Sequence, residues 1–165
     1  FFSYLDNELR VKHGITTSVD LFGLTMWVHD FDMNIGQRLD NAVPHFDFIS
    51  PMVYPSHYPN GFEGFANPAL YPYRVVYDNL VKGRAVFDAA KAENVRRRDA
   101  QPPEAVLPVA TVRPWIQDFD LGAEYDAAKV RDQMKASVDG GATGWLIWNA
   151  RNVYTEEALE KTAAR

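Results

Sequence analysis

The sequence lacks three features that would each have indicated a class of site or location. It has no cysteine, which excludes both a disulfide framework and a thiolate metal site. No uninterrupted apolar run approaches the roughly 20 residues of a membrane-spanning helix, so we predict no membrane span. The histidines at positions 13, 29 and 45 lack the paired spacing of metal ligands, and we predict neither a metal nor another cofactor.

An excess of basic residues is also missing. The 165 residues contain 17 Lys and Arg against 22 Asp and Glu. The net charge of -5 argues against a nucleic-acid partner, which usually needs a basic face. With 47% hydrophobic residues, the chain has the composition of an ordinary globular domain with a real core.

The spacing of apolar residues predicts one helix, ended by Gly14, and then four strand-to-helix units. Strands are predicted at residues 15–22, 46–53, within 105–119 and at 144–150, and helices at 36–43, 72–98, 127–138 and after Thr155. Nearly continuously apolar strands separated by helices form a parallel sheet that helices cover. The predicted fold class is therefore α/β.

This strand spacing fits two architectures, a doubly wound sheet and half of a TIM (β/α)8 barrel, which as a whole typically needs about 250 residues. No G-x-G-x-x-G or Walker-type loop follows any strand, so a nucleotide-binding doubly wound sheet loses its main support. Half of a barrel is the better interpretation, with residues 1–165 as a single, partial domain. Because an open half-barrel leaves two sheet edges unpaired, we expect the chain to self-associate or to be part of a longer barrel.

Polar and aromatic side chains lie at the carboxyl end of each predicted strand, where the active sites of such barrels lie. Converging carboxylates, amides and aromatic rings suit a sugar site, because rings stack on pyranose faces and a carboxylate pair can cleave a glycosidic bond. We predict Asp20 and Asp118 as catalytic residues. The predicted carbohydrate-binding residues are Tyr54, His57, Tyr58, Trp115, Gln117, Trp148 and Asn149.

Several of these residues also have a plainer explanation. Asp20 can cap a loop at the end of a strand, and one of the neighbours Asp118 and Asp120 can be a solvated surface charge. The imidazole of His57 can be satisfied by the backbone of its own loop. The two tryptophans can belong to the core rather than to a binding site.

Five stretches resemble a known family: SVDLFGLTMW, IGQRLDN, FDFISPMVYPSHYPNGFEGFANPALYPYRVV, RPWIQDF and GWLIWNARNVYT. They are similar to the C-terminal half of bacterial glycoside hydrolases with a (β/α)8 barrel, over nearly the whole chain. The resemblance implies that barrel strands five to eight lie here, and that the strand before them ends in an aspartate. It also implies an extracellular or cell-envelope location. Residues 88–104 carry no motif and are predicted to be a variable insertion.

The resemblance and the strand-end residues together predict a glycoside hydrolase domain that acts on a polysaccharide of the cell envelope or extracellular matrix. If the aspartate of the preceding half-barrel belongs to the catalytic pair, the 165 residues alone are expected to be inactive. The alternative is a non-catalytic carbohydrate-binding or scaffold domain, because a fold does not determine a function.

Overall fold

The computed structural model of the chain describes residues 1–29, 31–100 and 109–159. Its helices are α1 (Phe2–Leu5), which continues into a π-helical segment (Asp6–Val11), α2 (Leu39–Ala42), α3 (Pro72–Ala100), α4 (Ala127–Asp139) and α5 (Glu156–Leu159). Its strands are β1 (Ser18–Phe22), β2 (Phe48–Met52), β3 (Thr111–Val112), β4 (Trp115–Gln117) and β5 (Leu146–Trp148). Among the helices described, none is both long and apolar enough to cross a membrane.

The strands form one parallel sheet whose order, β1-β2-β4-β5, follows the chain, while β3 pairs with β2. A doubly wound sheet would instead reverse its direction at a switch point. Parallel strands that are added one after another, with helices between them, form an arc of a (β/α)8 barrel. The predicted α/β fold is confirmed, and the strand order is that of a half-barrel.

The core lies between the convex face of this sheet and the helices. Leu21 of β1, Ile49 of β2 and Ile116 of β4 are at most 2% exposed and join one apolar cluster with Val75 and Val76 of α3. Successive side chains of a strand point to opposite faces. Because these buried residues point into the core, their neighbours along the strands, including Asp20 and Trp115, point to the concave face.

The third predicted strand differs from the observed one. It is split into β3 and β4, because Pro114 has no N–H to donate to the ladder. Residues 105–108 of the prediction lie outside the described residues. The predicted insertion at 88–104 coincides in part with the end of α3, and its residues 101–104 also lie outside the described part; that assignment stays a prediction.

The first helix also departs from a regular α-helix, because it widens into the π-helical segment. Arg10 in that segment is 6% exposed, and its guanidinium lies 3.2 Å from Asp6 and 3.3 Å from Asp47. Asp47 precedes β2 and also accepts hydrogen bonds from the backbone and hydroxyl of Thr17, just before β1. This charge network, with its arginine buried and its carboxylates partly exposed, joins the helix to the amino ends of the two strands, opposite the end that carries the candidate site.

Candidate active site

Asp20 lies exposed on the concave face, in the middle of β1. Its Oδ1 accepts a hydrogen bond of 2.9 Å from the indole Nε1 of Trp115 on β4. In the described part of the chain, no hydrogen bond reaches Oδ2. The carboxylate is thus held at one oxygen, and the other is open to accept a proton or to contact a ligand.

Tyr54 follows β2 and places a phenol near this carboxylate. Burial, and then the negative charge of Asp20, raise the pKa of Tyr54 above its ordinary value, so its hydroxyl stays protonated and can donate. The Tyr54 ring contacts His57 edge-on at a centroid distance of 5.2 Å, and Phe119 contacts both rings. Desolvation lowers the pKa of His57 from 6.5, and the imidazole is therefore mainly neutral at pH 7.

A largely apolar cleft of about 370 Å³ opens beside these rings. It is lined by Phe22, Gly23, Leu24, Met52, Tyr54, His57 and Tyr58. Gly23 is required where β1 ends, because a Cβ there would lie 2.3 Å from the Tyr58 hydroxyl and 2.6 Å from the Met52 carbonyl oxygen. The cleft has the apolar walls and few polar groups of a small ligand site.

Tyr58 contributes its ring to the cleft and turns its hydroxyl into the core. The hydroxyl donates to Oδ1 of Asn79 on α3 at 2.8 Å, and burial raises the pKa of Tyr58. Asn79 in turn donates to the carbonyl of Val75. The predicted carbohydrate contact of Tyr58 can therefore involve the ring, whereas its hydroxyl is committed to the helix.

Two tryptophans form an aromatic corner next to Asp20. The rings of Trp115 and Trp148 meet edge-on with centroids 6.2 Å apart. Trp148, at the end of β5, is 44% exposed. An exposed aromatic face beside a carboxylate is suited to stacking on the apolar face of a sugar ring.

Gln117 has a fully buried side chain, and its predicted carbohydrate-binding role stays a prediction. Its Oε1 accepts hydrogen bonds from the backbone and hydroxyl of Ser56, at 3.1 and 2.8 Å, and its Nε2 donates to the carbonyl of Phe119. These bonds tie the loop after β2 to the loop after β4. Gln117 is thus hydrogen-bonded to the loop that contains Tyr54 and His57.

Asp118 is separated from Asp20 by its surroundings. It is 3% exposed, and its two oxygens accept hydrogen bonds from the backbone N–H and the hydroxyl of Thr155, at 2.8 and 2.7 Å. Asn149, also buried, donates to the backbone carbonyl of Asp118 and accepts from the N–H of Arg151. Asp118 and Asn149 line a second cavity of about 240 Å³, which shares no lining residue with the apolar cleft. Their predicted roles in the site stay predictions.

A comparison with protein families assigns the chain. The model of the family described as "Putative glycosyl hydrolase domain" matches residues 1–154. The chain belongs to this family. The resemblance that the sequence motifs indicated is thereby confirmed.

Among solved structures, the chain is similar to a member of the glycoside hydrolases. The glycoside hydrolase domain of PgaB (BpsB) from Bordetella bronchiseptica aligns with 90% of this chain, at 17% identity and a TM-score of 0.47. The chain spans 37% of the length of that solved chain. No curated protein matches the sequence.

Three residues of the site region were missed by the sequence reasoning: Ser50, Phe119 and Thr155. Ser50 pairs with Asp20 in the register and is fully buried, a position that the alternation of β2 could have indicated. The contacts of Phe119 and Thr155 depend on loop geometry, for which the sequence carries no signal.

Within the described ranges, no group of three or more His, Cys, Asp or Glu side chains is arranged to hold a metal ion.

Proposed function

We propose that this chain forms the C-terminal part of a glycoside hydrolase barrel that acts on a polysaccharide of the cell envelope or extracellular matrix. The observation that carries the proposal is Asp20, an exposed carboxylate with one oxygen held by Trp115 and the other open; the ring of Trp115 in turn contacts the exposed ring of Trp148. Membership of the glycosyl hydrolase family supports the reaction class.

The chemistry of glycosidic cleavage gives Asp20 a definite role in this proposal. One carboxylic acid protonates the leaving oxygen, while a second, ionised carboxylate activates water or attacks the anomeric carbon. In this proposal Asp20 is the carboxylate that activates water or attacks the anomeric carbon, because it lies exposed on the concave face with Oδ1 held and Oδ2 open. The acid would come from the rest of the barrel.

The proposal is tested by hydrolysis of a polysaccharide panel with the full-length protein and three variants. Asp20→Asn keeps the shape of the side chain and removes its charge, and we expect product formation to fall roughly 10²- to 10⁴-fold. Asp120→Asn, at an exposed carboxylate two residues beyond Asp118, is the matched control and should retain activity. Asp118→Asn tests the second predicted catalytic residue. Full activity of the Asp20→Asn variant would remove that carboxylate from the mechanism.

One observation favours a non-catalytic carbohydrate-binding domain as the second candidate. Both oxygens of Asp118 are engaged by Thr155, and this leaves Asp20 as the open member of the two predicted catalytic carboxylates. That alternative predicts saccharide binding, measured by calorimetry, without product release. It also predicts that saccharide binding survives Asp20→Asn but still requires the aromatic corner of Trp115 and Trp148.

A further inference from the structure

We propose that Trp115 is the positioning residue for Asp20. Its indole N–H fixes Oδ1 and thereby presents Oδ2 to the reacting sugar. This inference rests on the proposed function, and it adds a second task to a residue that the sequence indicated only as a stacking surface. Its N–H edge is occupied by Asp20 at 2.9 Å, so the part of Trp115 that remains for a ligand is its ring.

The hydrogen bond crosses an entire strand. Asp20 pairs with Ser50 of β2, and Trp115 pairs with Met52 of the same strand, two residues further toward the carboxyl end. With neighbouring strands about 5 Å apart, the Trp115 side chain, the hydrogen bond and the Asp20 side chain together span roughly 10 Å between the backbones of β4 and β1. The contact therefore needs a long side chain with a donor near its tip.

Ser50 leaves room for the indole. It shares the concave face with Asp20 but is fully buried, and its hydroxyl lies 3.1 Å from the hydroxyl of Ser18. One of these two hydroxyls donates to the other, so the Ser50 hydroxyl has a partner on β1. A side chain larger than serine at this position would fill the space that lies between Asp20 and Trp115.

Trp115 is itself held on both sides. Its carbonyl accepts a hydrogen bond from the N–H of Val53 at 3.1 Å, and it pairs with Leu146 of β5 in the register. The edge-on contact with Trp148 restricts the orientation of its ring. A carboxylate that bonds to a fixed donor keeps one orientation, whereas an exposed aspartate without such a partner rotates and presents either oxygen.

Trp115→Phe in the full-length protein separates the two tasks, because phenylalanine keeps an aromatic ring and removes the N–H. If the indole N–H orients the carboxylate in the transition state, its loss in this variant should lower kcat roughly 10- to 100-fold, with KM changed less than about threefold. If Trp115 only stacked on the sugar, Trp115→Phe would raise KM and leave kcat unchanged. That second result overturns the inference.

The matched control is Trp27→Phe. Trp27 packs edge-on against Phe62 with its ring beneath the ammonium of Lys82, and its buried Nε1 has no hydrogen-bond partner among the described residues. Losing that N–H should leave kcat and KM close to the wild-type values. A fall in kcat equal to that of Trp115→Phe would show that the loss of any indole impairs the fold, and it would overturn the positioning role.

A measurement without turnover tests the contact itself. The Nε1–H resonance of Trp115, assigned in isotope-labelled protein as the indole signal that Trp115→Phe removes, should move upfield in Asp20→Ala because its charged acceptor is gone. An unchanged resonance overturns the inference.

If the wild-type protein hydrolyses no polysaccharide and binds none, the proposed function fails and the kinetic role fails with it. An unchanged kcat in an otherwise active Trp115→Phe variant overturns the positioning role alone.

Discussion

The two hydrogen bonds from Thr155 to Asp118 predict that this carboxylate stabilises the fold rather than cleaves a substrate. Asp118 lies directly after β4, and Thr155 directly precedes α5. The carboxylate accepts from the backbone N–H and from the hydroxyl of the same threonine, so it satisfies an otherwise unpaired donor at the start of the helix. Asp118→Asn keeps one acceptor oxygen and replaces the other by an amide that cannot accept.

The loss of stability in Asp118→Asn can be estimated from the replacement of a carboxylate oxygen by an amide. The variant loses one hydrogen bond to a charged group, which typically contributes about 1.5–3 kcal/mol, and leaves a donor of Thr155 facing an amide. We therefore expect the free energy that holds α5 in place to fall by about 2–3 kcal/mol. Thr155→Val removes only the hydroxyl bond and should cost about 1–2 kcal/mol. Asp120→Asn is the control, because its Oδ1 can still accept from the N–H of Tyr125.

Hydrogen exchange measured over residues 149–159 gives the opening free energy of this region, and urea unfolding followed by tryptophan fluorescence gives the global value. Faster exchange around α5 in both Asp118→Asn and Thr155→Val, and not in Asp120→Asn, is the expected pattern. The reasoning is refuted if Asp118→Asn exchanges like the wild type while hydrolysis is lost. In that case Asp118 acts in the chemistry.

Two further predictions concern the cleft and the buried phenols. Gly23→Ala should destabilise the protein by about 1–3 kcal/mol in urea unfolding, because its Cβ would meet the Met52 carbonyl. The control Gly144→Ala should be tolerated, because its Cβ would lie 3.8 Å from Arg113 Cδ. Equal losses of stability in the two variants would contradict the close approach at Gly23. Burial raises the pKa of Tyr54, Tyr58 and Tyr125 above 10.0, so their contribution to stability is complete below pH 10 and is lost as the pH rises through the folded values. Tyr58→Phe should therefore lessen the fall in unfolding free energy above pH 10, and an unchanged slope would contradict that origin.

The architecture could be predicted because it depends on local patterns. The β-branched residues before Asp20 and the apolar stretch ending at Met52 indicated strands that the structure contains, within a few residues. The break at Pro114 was also readable, since proline cannot donate within a strand. The π-helical segment was not, and neither was the pairing of its Arg10 with Asp47, a residue far along the chain.

The candidate site could be predicted only in part, because residue type does not reveal orientation. Asp20 and Asp118 were both predicted at strand ends, yet Asp20 lies in the middle of β1 and is open, whereas Asp118 follows β4 and is engaged by a threonine 37 positions away. Gln117 suits a sugar site by its chemistry, but its amide bonds to protein groups on both sides. Such partners come from loop paths and strand register, which no short motif specifies.

The contact between Trp115 and Asp20 also bears on the order in which the molecule assembles. Its two residues are 95 positions apart in sequence. Contacts of such separation form late in folding, because the intervening chain must first lose the entropy of loop closure. During synthesis, Asp20 leaves the ribosome long before its indole partner. The carboxylate therefore acquires its fixed orientation only when β4 docks beside β2, so that a nascent or truncated chain without β4 has the carboxylate but not the arrangement that we propose for catalysis.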